Sequence, residues 1–197
     1  MKILKYASRT ISLLLIFIHF SCVNEPLEGD FPQDDGVLNI EEGEFRANVG
    51  IGDFSTGLAV GVLSNTDLLT ITGTVPDTGE SIVLTIENPG VGTFNITAGL
   101  GTQNSGVYIE TNPENPFVSD GTFGVFGQLN ITEFDAQNAT VSGTFSFTGV
   151  RVVLDVDGNP VLDSNGQPTL ETEEITNGIF NKIPYTTEDQ GGGGTPI

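Results

Sequence analysis

Two stretches limit the fold more than any other feature of this chain. In SIVLTIE, Ile82, Leu84 and Ile86 share one parity while Thr85 and Glu87 hold the other; in TVSGTFSFT, Val141, Phe145 and Phe147 alternate with Thr140, Ser142, Thr144, Ser146 and Thr148. Successive side chains of a strand point to opposite faces, so an apolar set interleaved with a Thr-rich set describes a strand with one buried side. Strands of that kind belong to antiparallel sheets that face a core on one side and water on the other. LAVGVL, LLTITGT, TFNIT, GVYIE and GQLNIT repeat the pattern less regularly, and no segment after Cys22 sustains a helical period.

The punctuation agrees. PDTGE, ENPG, DAQN, DVDGN and DSNGQ offer Gly or Asn where a turn needs positive φ, and their spacing predicts about eight to ten strands. The expected fold is all-β: an antiparallel β-sandwich, with a flattened β-barrel as the alternative, because the pattern does not say whether the sheet closes. A single domain is expected over residues 37–185, about 150 residues, enough to bury around 70% of the unfolded surface in one core. Before it, residues 22–36 are acidic and carry two prolines, which reads as an extended tether; after it, residues 186–197 form a glycine-rich tail.

The only cysteine, Cys22, stands between an apolar run and this tether. Lys2, Lys5 and Arg9 precede the apolar run Ile11–Phe20, which has the length of a signal peptide and is too short to span a bilayer. An ordinary cleavage site wants small residues at its last and third-last positions; Ser21 fits and His19 does not. Ser21-Cys22 resembles the end of a bacterial lipobox, in which the cysteine thiol is acylated and the chain is cut before it. The departure lies in His19 and Phe20, where lipoboxes usually have an aliphatic and a small residue. Residues 1–21 are therefore expected to be a lipoprotein signal and Cys22 the lipidation site, since two or more acyl chains hold a protein firmly on a membrane. Glu25 and Glu28, just past the cysteine, resemble the signal that sends flavobacterial-type lipoproteins to the outer face of the outer membrane.

Charge and composition exclude much of what a β domain can otherwise do. After the cut, Arg46, Arg151 and Lys182 remain as the only cations against 26 acidic residues, a formal charge of −23. A surface of that sign repels phosphate backbones, so nucleic acid is not expected as a partner. No histidine, cysteine thiol, tryptophan or methionine survives processing, which removes imidazole-assisted nucleophiles and soft metal sites. Carboxylate chemistry and oxygen-ligand calcium binding remain.

The most site-like stretch is LDVDGNPVLDSNGQPTLETEE, where Asp155, Asp157, Asn159 and Asp163 offer oxygen ligands for Ca²⁺. The spacing is not that of an EF-hand: Gly158 is fourth from Asp155 and the twelfth position is Gly166. LDVDGNPV and LDSNGQPT are near repeats eight residues apart, so two successive Asx-Gly turns explain the acids without a metal. Asp34-Asp35, Glu41-Glu42 and Glu173-Glu174 are adjacent pairs that a strand would point to opposite faces, and no catalytic residue is assigned. Phe117, Phe123 and Phe126, in NPFVSDGTFGVFG, lie among turn residues and are the candidates for an exposed ligand or interaction patch.

GTFNIT, then GQLNITEFDAQNATVSGTFSFTG, then ITNGIFNKIPY resemble, in that order, an uncharacterised family of flavobacterial-type outer-membrane lipoproteins. The likeness covers about residues 94–185, with Phe45-Arg46-Ala47 as the expected opening strand. The resemblance implies a β domain displayed from a membrane and lends no catalytic residue. Taken together, the sequence leads to a lipid-anchored, cell-surface, non-enzymatic interaction or structural module, the alternative being a ligand-binding accessory of an outer-membrane uptake system. Its partners would be the membrane, through the lipid, and a protein or glycan ligand.

Overall fold

The computed structural model describes residues 40–97, 103–111 and 113–188. The signal segment, Cys22, the tether and most of the glycine-rich tail lie outside the described residues. Those described form an all-β unit with no α-helix, and none of its segments is a helix long and apolar enough to cross a membrane. Eleven strands occur among them: β1 (Phe45–Val49), β2 (Gly52–Thr56), β3 (Ala59–Leu63), β4 (Leu68–Thr74), β5 (Ser81–Glu87), β6 (Gly92–Ile96), β7 (Ser105–Ile109), β8 (Phe117–Val118), β9 (Gly127–Asp135), β10 (Thr140–Val152) and β11 (Leu170–Thr187). The expected eight to ten fell short because GDFST and the two-residue β8 carry too little alternation to be read.

All eleven join one sheet. Its spine is the antiparallel ladder of β10 and β11, which runs from Thr140 opposite Pro184 to Val152 opposite Leu170. Each spine strand has two further partners placed end to end along its other edge. β9 and then β8 line β10, whereas β1 and then β3 line β11. From β3 the pairing passes through β4, β5 and β7 to β8, so the ladder returns to β10 and closes a circuit. β2 and β6 are the outer strands. The contact of β11 with β3, Tyr185–Thr187 against Gly61–Leu63, is parallel and makes the sheet mixed, where the sequence pattern predicted an antiparallel one. Parallel pairing needs a long connection between its strands, and nothing local in the sequence announces it.

Two glycines show how the sheet faces itself across the core. A Cβ on Gly73 of β4 would lie 2.8 Å from the ring of Phe45 in β1, and one on Gly106 of β7 would lie 2.7 Å from the ring of Phe147 in β10. Between these faces Leu69, Ile71, Ile82, Leu84, Ile86, Leu129, Ile131, Val141, Ile175 and Ile183 are buried, the parity the alternation predicted for β5 and β10.

Within the spine a reciprocal pair fixes the register. Gly143 of β10 stands opposite Phe180 of β11, and Phe145 of β10 stands opposite Gly178 of β11. Each ring lies over the bare backbone of the facing glycine: a Cβ on Gly178 would come within 2.6 Å of Phe145, and one on Gly143 within 2.6 Å of Phe180. A strand glycine loses packing and entropy, and a cross-strand aromatic that covers it restores the packing. The two rings lie 6.3 Å apart, and Phe45 adds a third at 5.1 Å from Phe145 and 6.2 Å from Phe180.

β-Bulges in β11 bracket this pair. Asn177 and Lys182 take φ of 51° and 48°, at the two places where the register with β10 slips by one residue. A bulge adds one residue to one strand and sharpens its twist. One effect is on burial: Ser142, on the outward parity, is nonetheless buried, and its Oγ accepts the Lys182 N–H at 3.0 Å.

Gly178→Ala should therefore lower stability in urea unfolding by about 1–3 kcal/mol, the range for forcing extra volume into a packed site, and Phe145→Leu in the same chain should recover part of that loss. At the second bulge, Lys182→Val should cost about 1–2 kcal/mol because a β-branched residue resists the left-handed conformation, while Lys182→Gly should not destabilise. Equal losses in both variants would assign the effect to the Lys182 side chain and its exposed ion pair with Glu42.

Candidate functional site: an apolar groove at the root of two turn-capped arms

Past Thr148 the outward parity of β10 changes character. Thr144, Ser146 and Thr148 give way to Val150 and Val152 at the next two outward positions. Val150 pairs with Val118 of β8, Val118 pairs with Val107 of β7, and Val152 pairs with Leu170 of β11. Val107 and Val150 are each only 2% exposed although they stand apart from the main core, so a satellite apolar cluster covers this corner of the outer surface.

The segment between β8 and β9 is pinned beside it. The Ser119 N–H donates to the Gly106 carbonyl at 2.9 Å, and the Gly106 N–H donates back to Ser119 Oγ at 2.9 Å. Asp120 Oδ1 accepts from the Thr122 N–H at 2.8 Å and from its hydroxyl at 2.7 Å, capping a single 3-10 turn, Gly121–Phe123, that ends on left-handed Gly124. These bonds from Thr122 hold the Asp120 carboxyl below the usual carboxylate range. The turn presents Phe123 over the satellite cluster, 52% exposed. Phe123, Pro116, Val118, Val150, Val152 and Leu170 line an open groove of about 250 Å³, with Asn115 and Arg151 as its polar members. Asn115 is held by an Nδ2 bond to the Val152 carbonyl at 3.2 Å.

Arg151 is fixed from three sides. Its guanidinium lies 3.9 Å from the centre of the Phe117 ring, bonds Glu171 at 2.9 Å and reaches Glu110 at 3.2 Å. A cation over an aromatic face and a pair of carboxylates hold a long side chain that would otherwise be mobile. Phe117 stacks in turn on Tyr108, whose hydroxyl donates to Glu80 at 3.3 Å. Burial, with the carboxylates of Glu80 and Glu110, pushes the Tyr108 hydroxyl up, so it stays a phenol.

Beyond the spine, residues 153–169 form two short arms around a triangle of backbone bonds. The Val161 N–H donates to Val153 O at 2.8 Å, the Thr169 N–H to Val161 O at 2.7 Å, and the Val153 N–H to Thr169 O at 2.9 Å. The bridges repeat round the triangle: Leu154 with Pro160, Leu162 with Pro168, and Leu170 with Val152 at the end of the spine. The eight-residue repeat of the sequence is thus a three-way junction in which the β10–β11 hairpin supplies the third arm. Leu154, Leu162 and Leu170 take equivalent positions, and all three are exposed. Each short arm closes on its own carboxylate. Asp155 Oδ1 accepts the N–H groups of Asp157 and Asn159 at 2.9 and 2.8 Å, and Asp163 Oδ1 those of Asn165 and Gln167 at 2.8 and 2.9 Å. Bonds from Asn159 and Gln167, respectively, lead the causes that lower both carboxyls.

These placements sort the expected site residues. Phe123 and Phe126 are exposed, but Phe117 is 2% exposed, a core residue beneath Arg151 and no part of a surface patch. Phe126 lines a separate depression with Ser146, Thr148 and Glu174. Asp155 and Asp163 serve different arms, and no group of three acidic, His or Cys side chains able to hold a metal occurs among the described residues. Glu173 and Glu174 occupy successive positions of β11 and so point to opposite faces. The sequence reading missed Arg151, Val150, Val152 and Leu170; the replacement of outward Thr by Val in TGVRVVL was the available signal.

Residues 36–184 match the profile of DUF6252, a domain of unknown function. The chain belongs to that family. The match spans every strand from β1 to most of β11, so the Gly-Phe spine and the arms are both inside the family domain. No curated protein and no solved structure matches the chain.

The lowered carboxyls give a signed pH dependence. A carboxyl whose folded pKa lies below its unfolded value of about 3.9 contributes stability above that value and loses it as pH falls through the folded pKa. Carbonyl shift titration should place the midpoints of Asp155 and Asp163 below those in a free peptide of residues 153–169, and the two arms should open only at pH below about 4. Asp155→Ala should speed exchange of the Asp157 and Asn159 amides and leave the core amides protected.

Proposed function

We propose that this chain is a lipid-anchored module of the bacterial cell surface whose β domain binds a partner and performs no chemistry. The observation that carries the reading is the groove itself. Two segments far apart in sequence, the Phe123 turn and the Leu170 root of the arms, come together around one apolar surface, and each is held there by a dense set of local bonds. A rigid scaffold that holds exposed loop residues in fixed positions is the usual arrangement of a binding surface. The signal-like residues 1–21, Cys22 and the acidic tether support attachment to an outer membrane with the domain displayed outward.

The same convergence of loops favours a second reading, in which the module is an accessory of an outer-membrane uptake system and the groove takes that system's ligand. Both readings need the lipid. Intact mass of protein extracted from membranes should correspond to an acylated chain beginning at Cys22, and Cys22→Ser should abolish both the added mass and membrane retention. Protease applied to whole cells should remove the domain. A photo-crosslinking residue at position 123 or 170 should give adducts in intact cells that the same residue at position 83, on the remote β5, does not. Absence of adducts at 123 and 170 would remove the binding role.

A further inference from the structure

The groove combines an apolar interior with a border of one sign. Arg151, its only cation, turns its guanidinium onto the Phe117 ring at the opposite face, where Glu110 and Glu171 neutralise it, so the groove presents no free positive charge. Asp120 caps the Phe123 turn at one margin, and Asp155, Asp157 and Asp163 stand on the arms that spring from the other. The remaining cations among the described residues, Arg46 and Lys182, lie on β1 and on a β11 bulge, away from the groove-lining set. An acidic partner would meet uncompensated like charge here, and a neutral apolar one would leave the carboxylates unpaired at the rim. Complementary potentials select partners and steer their approach, while apolar anchors in a central pocket hold them.

On the reading that this groove is a binding surface, we propose that its occupant is a segment of a partner protein in which aromatic or aliphatic anchors alternate with lysine or arginine. Phe123, Val152 and Leu170 receive the anchors, and Asp120 and the arm aspartates meet the basic side chains. Leu154 and Leu162, equivalent to Leu170 round the junction and exposed, extend the apolar surface along the arms. The carboxylates of Asp155 and Asp163 accept loop amides through Oδ1, which fixes them as stationary negative charges for this contact.

The test uses the full chain in detergent and three labelled ten-residue peptides: alternating Lys with Phe or Leu, the same with Glu in place of Lys, and the same with Ser in place of Phe and Leu. Fluorescence anisotropy should show the Lys and Phe/Leu peptide binding about tenfold or more tighter than either other peptide, with affinity that falls between low and high salt. Phe123→Ser and Leu170→Ser, both exposed, should each weaken it about tenfold, while Phe126→Ser should not. Near-UV circular dichroism confirms that the variants keep the fold. Equal binding of the Lys/Ser peptide would reduce the interaction to ion exchange on an acidic surface and overturn the proposal, as would equal binding of the Glu peptide or indifference to Phe123→Ser and Leu170→Ser. Crosslinks in cells at positions 123 and 170 together with failure of the peptide series would reject this partner chemistry and leave the binding role standing.

Discussion

The closest dependence in this structure is between two phenylalanines and two glycines. Phe145 and Phe180 each lie over the glycine that faces them, Gly178 and Gly143, so the β10–β11 register is set by shape: shifting it by one residue would drive both rings into side chains and turn every core residue outward. Because β10 and β11 each carry two further partners, that register positions both halves of the sheet. Phe45 joins the two rings, which ties β1 to the same point, and Gly73 on the opposite face leaves room for Phe45. One small-to-large complementarity is thus repeated along the spine and across the core.

The groove follows from how this spine ends. Where the ladder reaches Val152 and Leu170 the chain opens into the triangle of Val153, Val161 and Thr169, whose three carbonyls and three amides satisfy one another at the surface. That closure lets a projecting structure keep its backbone paired without a core of its own. The aspartates cap the arms instead of converging. The arms they close are rooted beside the apolar surface that the Phe123 turn completes.

Legibility in the sequence tracked the range of the interaction. The alternation in SIVLTIE and TVSGTFSFT placed Ile82, Leu84, Ile86, Val141, Phe145 and Phe147 in the core, because a period of two is a local property of a half-buried strand. The eight-residue repeat in 154–168 read correctly as two turns, since Asx-Gly chemistry is also local. Ser142 keeps its outward parity but is buried, because the bulge in the neighbouring strand brings the Lys182 N–H over its hydroxyl. Phe117 failed because its neighbours are turn residues in sequence, while Tyr108 below it and Arg151 above it come from other strands.

By itself the sequence determined an all-β domain, the positions of most strands and turns, a strongly acidic character and a lone cysteine after an apolar segment. Each of these depends on residue type and short spacing. Tertiary structure alone decided the closed circuit of pairings, the parallel contact of β11 with β3, and the meeting of Phe123 with Leu170. Those depend on which distant strands become neighbours, and that is settled by the packing of rings over glycines in the spine, a complementarity visible only once the register exists.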